Sequence, residues 1–307
     1  MSGGYVIQQA LNGLQVSAFY ALLAVSYVLM HAITRRINFA FGALSIWATY
    51  TFINVTTASM IELPGTVVLP FLIAAAAAAF HTALGGLVLE RTVVRPLVRE
   101  TSLAMLVATL GLAIFLEEGA RLANDSRERW LGPIGGDPIA LARVDGFMIT
   151  VTTVQIAGVA FALLMAAVLT LAVARHPFGR AWRACAQDLH MAELCGVDVG
   201  RTLRITFLVA TVYAAAAGIL VALLYGVASF HGGFIIGLKT LFVAVVGGLS
   251  SIGGAFLGAI VLGLFETFWS GTMGSDSRDA AAFALLTLLL ILFPEGLLGG
   301  RGGTKTV

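Results

Sequence analysis

The side chains that could do covalent or metal chemistry are few in this sequence, and they lie far apart. The five histidines are scattered along the chain at His31, His81, His176, His190 and His231. His190 and Glu193 stand in an H-x-x-E pattern, which lacks the spacing and the second histidine of a zinc-protease helix. There is no G-x-S-x-G nucleophile turn and no Walker A phosphate loop. We therefore predict no catalytic residue, no metal site, no bound cofactor and no ATP hydrolysis by this chain.

Ionisable side chains within the apolar segments are the next candidates, because such groups mark the paths of ion-coupled carriers. They are Glu117, Glu118, Lys239 and Glu266. Each lies near the end of an apolar run, where a long side chain can reach the membrane interface at little cost. This placement argues against proton or sodium coupling. The energy for any transport would then come from another subunit.

The elements that must position these residues are membrane spans. Of the 307 residues, 59% are hydrophobic and only 11% are charged. A soluble domain of this composition would expose large apolar patches, and the runs are continuous where strands of a barrel would alternate. The net charge of +2 is too small to suggest nucleic-acid binding. The sequence predicts an all-α polytopic integral membrane protein, with residues 1–307 forming a single transmembrane domain in the lipid bilayer.

The apolar runs predict seven full spans plus a broken or re-entrant pair near the C-terminus, with nine crossings as the alternative count. The full spans are expected at 10–30, 38 to about 61, 67–89, 103–116, 148–174, 205–227 and 280–293, and the pair lies within 234–269. As a helix, the run 103–116 would be only about 21 Å long. It can cross a hydrocarbon core of roughly 30 Å only with help from the polar residues at its ends.

A glycine-rich break, 247–254 (GGLSSIGG), separates the two halves of the predicted pair. A broken helix in a membrane is tolerated where protein or a water-filled cavity satisfies the freed backbone groups. Gly254 and Gly258 also form a G-x-x-x-G pattern, which is typical of close helix packing. The break therefore indicates either a lining for substrate or two ordinary short spans packed through glycine.

The longest interruption of the apolar pattern is 175–204, which holds five arginines against three acids. Within it, residues 181–195 predict a short amphipathic helix. One face carries Trp182, Cys185, Leu189 and Ala192, and the other carries Arg183, Gln187, His190 and Glu193. Such a helix between two spans would offer a docking surface to a soluble partner. The alternative is a connecting loop whose arginines only set the topology.

The distribution of lysine and arginine predicts the orientation, since cytoplasmic loops carry an excess of these residues. When the segment 175–204 is placed in the cytoplasm, twelve basic residues fall on its side and five on the other. We therefore expect the N-terminus outside and the C-terminus in the cytoplasm.

Three stretches resemble the permease subunits of ABC importers for branched-chain amino acids, of the LivH type. They are RINFAFG at 36–42, FGRAWRACAQD at 178–188 followed by GVD at 196–198, and GLK at 237–239 followed by GGLSSIGGA at 247–255. The motif ERxxxRPL at 90–97 fits as well. The resemblance covers nearly the whole chain in order. One departure is Phe41, where relatives usually carry histidine; if that histidine contacts substrate or water, this chain has an altered specificity or a drier path.

The resemblance implies a bacterial inner-membrane subunit of an ATP-driven importer, which moves branched-chain or similar apolar amino acids by alternating access. The implied partners are a second, homologous permease subunit of the LivM type, two ATP-binding subunits that hold ATP and Mg, and an extracytoplasmic substrate-binding protein. It also implies that the segment 175–204 docks on an ATP-binding subunit. The residues expected in this coupling are Arg180, Trp182, Arg183, Asp188, Leu189, Glu193 and Gly196.

We expect substrate to pass along the start of the second span and the glycine-rich break. The residues predicted to line this path are Asn38, Phe41, Gly42, Gly247, Gly248, Ser250 and Ser251. Asn38 and the two serines could bind substrate by hydrogen bonds, and their alternative roles are helix capping and turn formation. Relatives with this pattern also serve urea, short amides or other amino acids. A different class of function, an ion-coupled secondary transporter, would need a pair of ionisable groups at mid-membrane.

Overall fold

The computed structural model of the protein describes residues 3–63, 68–98, 100–132, 138–144, 146–230, 232–249, 251–294 and 296–298. Helices dominate this part of the chain. In order they are α1 (Gly3–Thr34), α2 (Ala40–Glu62), α3 (Val68–Leu89), a π-helical turn (Glu90–Val94), α4 (Arg95–Leu97), α5 (Ser102–Ala123), α6 (Thr153–Arg175), α7 (Pro177–Gln187), α8 (Leu189–Leu194), α9 (Val199–Tyr225), α10 (Gly232–Gly247), α11 (Ile252–Met273) and α12 (Arg278–Leu292). The predicted all-α membrane fold is confirmed.

Helices α1 and α9 form the centre of the bundle. In the most apolar part of each, 89% and 72% of the residues are buried, against 22–28% in α3, α5 and α6. The outer helices expose large apolar side chains such as Phe80, Phe115 and Leu163. Exposed apolar surface of this extent is stable against lipid and not against water. The fold therefore places α1 and α9 away from the bilayer and the other three against it.

Six segments of the described chain are helical and apolar over a length that suffices to cross a membrane: α1, Val68–Leu97, α5, α6, α9 and α11. Helix α10, with 16 residues, is apolar but shorter. Helix α2 has 23 residues and carries several buried hydroxyl groups, among them Ser45 and Thr49. The count of seven to nine spans and the re-entrant character of the C-terminal pair stay predictions.

Several span limits were predicted wrongly, because apolar runs do not mark where helices begin or end. Helix α5 continues for 22 residues, about 33 Å, so that Glu117 and Glu118 lie inside it and not at its end. Helix α6 begins only at Thr153, because Thr152 and Gln155 form a reciprocal capping box there. The residues before this cap, Phe147–Val151, form a strand.

In the described residues, four short strands lie between the helices. Strand β2 (Ile139–Val144) pairs antiparallel with β3 (Phe147–Val151), and β1 (Arg129–Trp130) pairs with β4 (Val227–Ala228). Gln8 of α1 binds Thr150 of β3 twice, as donor to its carbonyl at 3.0 Å and as acceptor from its N–H at 2.9 Å. The β2–β3 hairpin is thus held at the N-terminal end of α1.

Candidate functional site

The segment 175–204 forms two helices where the sequence predicted one. Helix α7 ends at Gln187, and α8 begins at Leu189. Asp188 between them has an extended backbone, and its Oδ1 accepts hydrogen bonds from the N–H groups of His190 (2.8 Å) and Met191 (3.0 Å). An aspartate with these bonds is a helix N-cap, so it starts a new helix instead of continuing the old one. The single helix at 181–195 was therefore wrong.

The two faces predicted for this segment are present. Trp182, Cys185 and Ala192 are buried and Leu189 is half-buried, whereas the residues predicted on the polar face are exposed: Arg183, Gln187, His190 and Glu193. Arg180 is exposed as well, and Gly196 follows α8 with a φ of +83° that favours glycine. Burial raises the pKa of the Cys185 thiol, which keeps it protonated and unreactive.

Hydrogen bonds from both sides fix the segment to the ends of α1 and α6. The indole N–H of Trp182 donates to the carbonyl of Leu29 in α1 at 3.2 Å. The guanidinium of Arg183 donates to the carbonyl of Val173 in α6. In the opposite direction, Arg35 donates to the carbonyl of Ala186 at 2.8 Å. The segment is therefore firmly attached to the ends of α1 and α6.

The outer surface of the segment carries two large apolar side chains that sequence reasoning missed. Met191 and Leu194 of α8 are 57% and 69% exposed. Both flank Glu193, a residue of the predicted polar face. Exposed apolar residues within a charged rim are typical of a surface that another protein covers. The helical pattern could have predicted the exposure of Met191 and Leu194, because both positions fall outside its buried face.

Asn38 lies at the start of α2, where it has a capping role. Its Oδ1 accepts a hydrogen bond from the N–H of Ala40 at 2.9 Å. The residue is 3% exposed, and its Nδ2 has no hydrogen-bond partner in the described part of the chain. Capping, the alternative to substrate binding, therefore accounts for the oxygen but leaves the nitrogen unpaired in the interior.

Phe41 and Gly42 lie in packed protein. The ring of Phe41 is fully buried, and its centroid is 5.5 Å from those of Tyr27 in α1 and Phe207 in α9. At Gly42 the backbone of α2 crosses α10 closely: a Cβ there would lie 2.6 Å from the carbonyl oxygen of Gly233. These two residues thus join α2 to three helices in this conformation.

Helices α10 and α11 form a hairpin around the glycine-rich break. Gly247 and Gly254 contact each other through their backbones, so that a Cβ on either residue would overlap the carbonyl group of the other. Gly248 has a φ of +107°, and Ser251 caps α11 by accepting from the N–H of Gly254 at 3.0 Å. Ser250 lies outside the described residues. The hairpin consists of two helices packed through glycine, and α11 is a full-length helix where a short half-span was expected.

Residues 9–293 match a family model described as the permease component of the branched-chain amino acid transport system. The chain belongs to this family. It is similar to the high-affinity branched-chain amino acid transport system permease protein BraD of Pseudomonas aeruginosa, with 36% identity over 298 residues that cover 96% of each chain. It is also similar to the corresponding permease protein LivH of Escherichia coli K12, with 32% identity over 295 residues and the same coverage. Membership makes this protein a transport component and not an enzyme.

An ionic cluster with a buried lysine and a buried glutamate joins three helices of the permease. Lys239 of α10 is 2% exposed, and its Nζ lies 2.6 Å from Oε1 of Glu266 in α11 and 2.7 Å from Oδ1 of Asp279 in α12. The other carboxylate oxygen of Glu266 accepts from the hydroxyl of Tyr20 at 3.0 Å. The expectation that Lys239 and Glu266 reach the interface was therefore wrong: the hairpin turns them toward each other, and α12 closes over them.

The remaining ionisable candidates differ from this cluster. Glu118 forms an exposed pair with Arg121, one helical turn away, at 2.7 Å. In the described residues of the permease, no three histidine, cysteine, aspartate or glutamate side chains come together as metal ligands.

Proposed function

We propose that this chain is the permease subunit of an ATP-driven importer for branched-chain or similar apolar amino acids, which carries substrate by alternating access. The observation that carries the proposal is the family match over residues 9–293. The names of the relatives point to branched-chain amino acids as the substrate class. ATP and Mg would be bound by partner subunits and not by this chain.

The complex that we propose contains a second, homologous permease subunit of the LivM type, two ATP-binding subunits and an extracytoplasmic substrate-binding protein. The permease would lie in the bacterial inner membrane, with its N-terminus outside and its C-terminus in the cytoplasm. Support comes from the excess of arginine in the segment 175–204. This segment contacts the Leu29–Arg35 end of α1, while the β2–β3 hairpin lies at the opposite end. The two surfaces would thus face the two sides of the membrane.

The exposed face and the buried face of α7 and α8 support their coupling role. Arg180, Arg183 and Glu193 would meet the ATP-binding subunit together with the exposed side chains of Met191 and Leu194. Trp182 and Leu189 would transmit a displacement of this surface to α1, to which Trp182 is hydrogen-bonded. Asp188 and Gly196 would fix the shape of the segment, because they begin and end α8.

For the substrate path we keep the predicted set, Asn38, Phe41, Gly42, Gly247, Gly248, Ser250 and Ser251. In the present conformation the described members are packed. Glycine at these positions lets the backbones of two helices approach closely. Movement at Gly42 would expose the unpaired Nδ2 of Asn38. Phe41 would keep the closed path dry.

Reconstitution tests the proposed function. The chain, its ATP-binding partners and its second permease subunit would be purified together, placed in proteoliposomes and supplied with the loaded binding protein. We expect uptake of leucine that requires ATP and is insensitive to uncouplers. Uptake without ATP along a proton or sodium gradient would support the ion-coupled alternative, and urea uptake without leucine uptake would contradict the substrate class.

Replacing Glu193 by alanine is expected to lower the stimulation of the ATPase by loaded binding protein about tenfold, equivalent to about 1.4 kcal/mol of docking energy. The side chain is exposed on the docking surface, so the amount of folded permease in the membrane should not change. ATPase rates with and without loaded binding protein measure the effect. Glu118→Ala is the matched control, since Glu118 is an exposed glutamate of α5. Equal stimulation in both variants would count against the docking role.

A further inference from the structure

A cavity of about 320 Å³ opens beside the ionic cluster, between α1, α9, α11 and α12. Its size falls within the range of roughly 300–1,000 Å³ of small-molecule sites. It lies near Gln9 at the N-terminal end of α1, opposite the end that contacts the coupling segment. In the proposed orientation it faces the outside of the cell, where delivered substrate first meets the permease.

The walls of the cavity carry one cation and one anion. Glu266 contributes its carboxylate, which is held in place by Lys239 and Tyr20. Arg278, the first residue of α12, contributes its guanidinium; the side chain is 39% exposed, and its Nε lies 3.4 Å from Oδ1 of Asp279. The contact to Asp279 is long and involves one of the five N–H groups of the guanidinium.

The charges of the cluster balance, which restricts the ligand. Lys239 and Arg278 offset Glu266 and Asp279, so a ligand with a net charge would leave one charge uncompensated beside the buried pair of Lys239 and Glu266. A zwitterion adds no net charge, and it can pair with both signs at once.

Two further features of the lining fit an apolar amino acid. The hydroxyl of Ser270 is buried and makes no hydrogen bond within the described residues. An unmatched buried hydroxyl costs about 1–3 kcal/mol, which a polar group of a ligand would recover once the Ser270 side chain turns into the cavity. Val16 and the ring of Tyr225 supply apolar surface on the same cavity.

We propose that this cavity is a binding site for a zwitterionic α-amino acid. Arg278 pairs with the α-carboxylate, Glu266 receives the α-ammonium group, and the branched side chain lies against Val16 and Tyr225. The inference rests on the proposed function, since it assigns a recognition site to the substrate of the importer.

The test is binding to the complete permease–ATPase complex in nanodiscs, without the binding protein, by saturation-transfer difference NMR at pH 7. The probes are leucine, leucinamide, which lacks the carboxylate, and 4-methylpentanoate, which lacks the ammonium group. We expect each analogue to bind about tenfold or more weakly than leucine, a ratio equivalent to about 1.4 kcal/mol. In Arg278→Gln the preference for leucine over leucinamide should disappear, because the partner of the carboxylate is gone. Arg278→Lys should restore part of it.

Arg121→Gln is the matched control, because Arg121 is a partly exposed arginine of α5 that pairs with Glu118 and does not line the cavity. Its preference for leucine should equal that of the wild type. The proposed site would be wrong if Arg278→Gln kept the preference of the wild type for leucine over leucinamide. It would also be wrong if a complex that imports leucine gave no saturable leucine signal. Uptake with the binding protein is measured in parallel: a complex that imports no branched-chain amino acid contradicts the proposed function itself.

Discussion

Replacing Lys239 by methionine is expected to lower the free energy of unfolding of the permease by about 3–5 kcal/mol. Methionine keeps most of the volume but removes the cation that lies 2.6 Å from Glu266 and 2.7 Å from Asp279. Glu266 is 3% exposed, so its carboxylate would stay buried without its nearest cation. The shift of the thermal unfolding midpoint in detergent, followed by tryptophan fluorescence, measures the loss.

Two comparisons separate the lost ion pair from a loss of packing. In the double variant Lys239→Met/Glu266→Gln no buried charge is left unpaired at this position, and the oxygen of the new amide can still accept from Tyr20. Because a buried ion pair can often be replaced as a whole at little cost, most of the stability should return. Arg121→Met breaks an exposed pair, which is worth about 0–1 kcal/mol. If Lys239→Met is as stable as Arg121→Met, the cluster does not hold α10, α11 and α12 together.

This cluster also shows what the sequence could not predict. Hydropathy treats each apolar run separately, and in its own run Lys239 looks like a residue that can reach the interface. Its real surroundings come from Glu266 and Asp279, which are 27 and 40 residues away. Only the turn at the glycine-rich break and the return of α12 bring these groups together. When the two charges of a pair lie on different segments, the hydropathy of either segment alone does not indicate the pair.

Local signals, by contrast, predicted much of the fold correctly. The span that forms α1 followed from a continuous apolar run, and the amphipathic faces of the segment 175–204 followed from helical spacing. Errors arose where a side chain bonds the backbone and overrides that periodicity. Asp188 divides the predicted coupling helix, and the capping box of Thr152 and Gln155 delays α6. Strand β3 was not predicted, because its apolar residues are followed closely by the apolar residues of the next helix.

The roles predicted for Asn38, Phe41 and Gly42 come from the resemblance, unlike those of the coupling segment and the glycine-rich break. Phe41 and Gly42 look like ordinary packing residues in the structure, and Asn38 looks like a cap. The cavity at Arg278 was not predicted either, because its walls come from four helices that are distant in sequence.

Replacing Gly254 by alanine is expected to abolish the close contact of α10 and α11. The new Cβ would overlap the carbonyl group of Gly247, and both partners of this contact are backbone, so neither can move aside as a side chain could. Overpacking of this kind costs about 1–3 kcal/mol, and we expect leucine uptake to fall with it. In Gly254→Leu the helices cannot approach at all, and we expect no uptake.

The neighbouring residue Gly253 provides a matched control, because its replacement by alanine should have no harmful effect. A Cβ on Gly253 would have its nearest neighbour, Leu298 Cδ1, 3.9 Å away, which is an ordinary contact. Alanine is also the better helix former by about 1 kcal/mol. Gly253→Ala should therefore be as stable as the wild type or slightly more stable, with uptake retained. Unfolding midpoints and ATP-dependent leucine uptake of the two alanine variants decide the matter: equal values for both would show that α10 and α11 do not depend on the contact between Gly247 and Gly254.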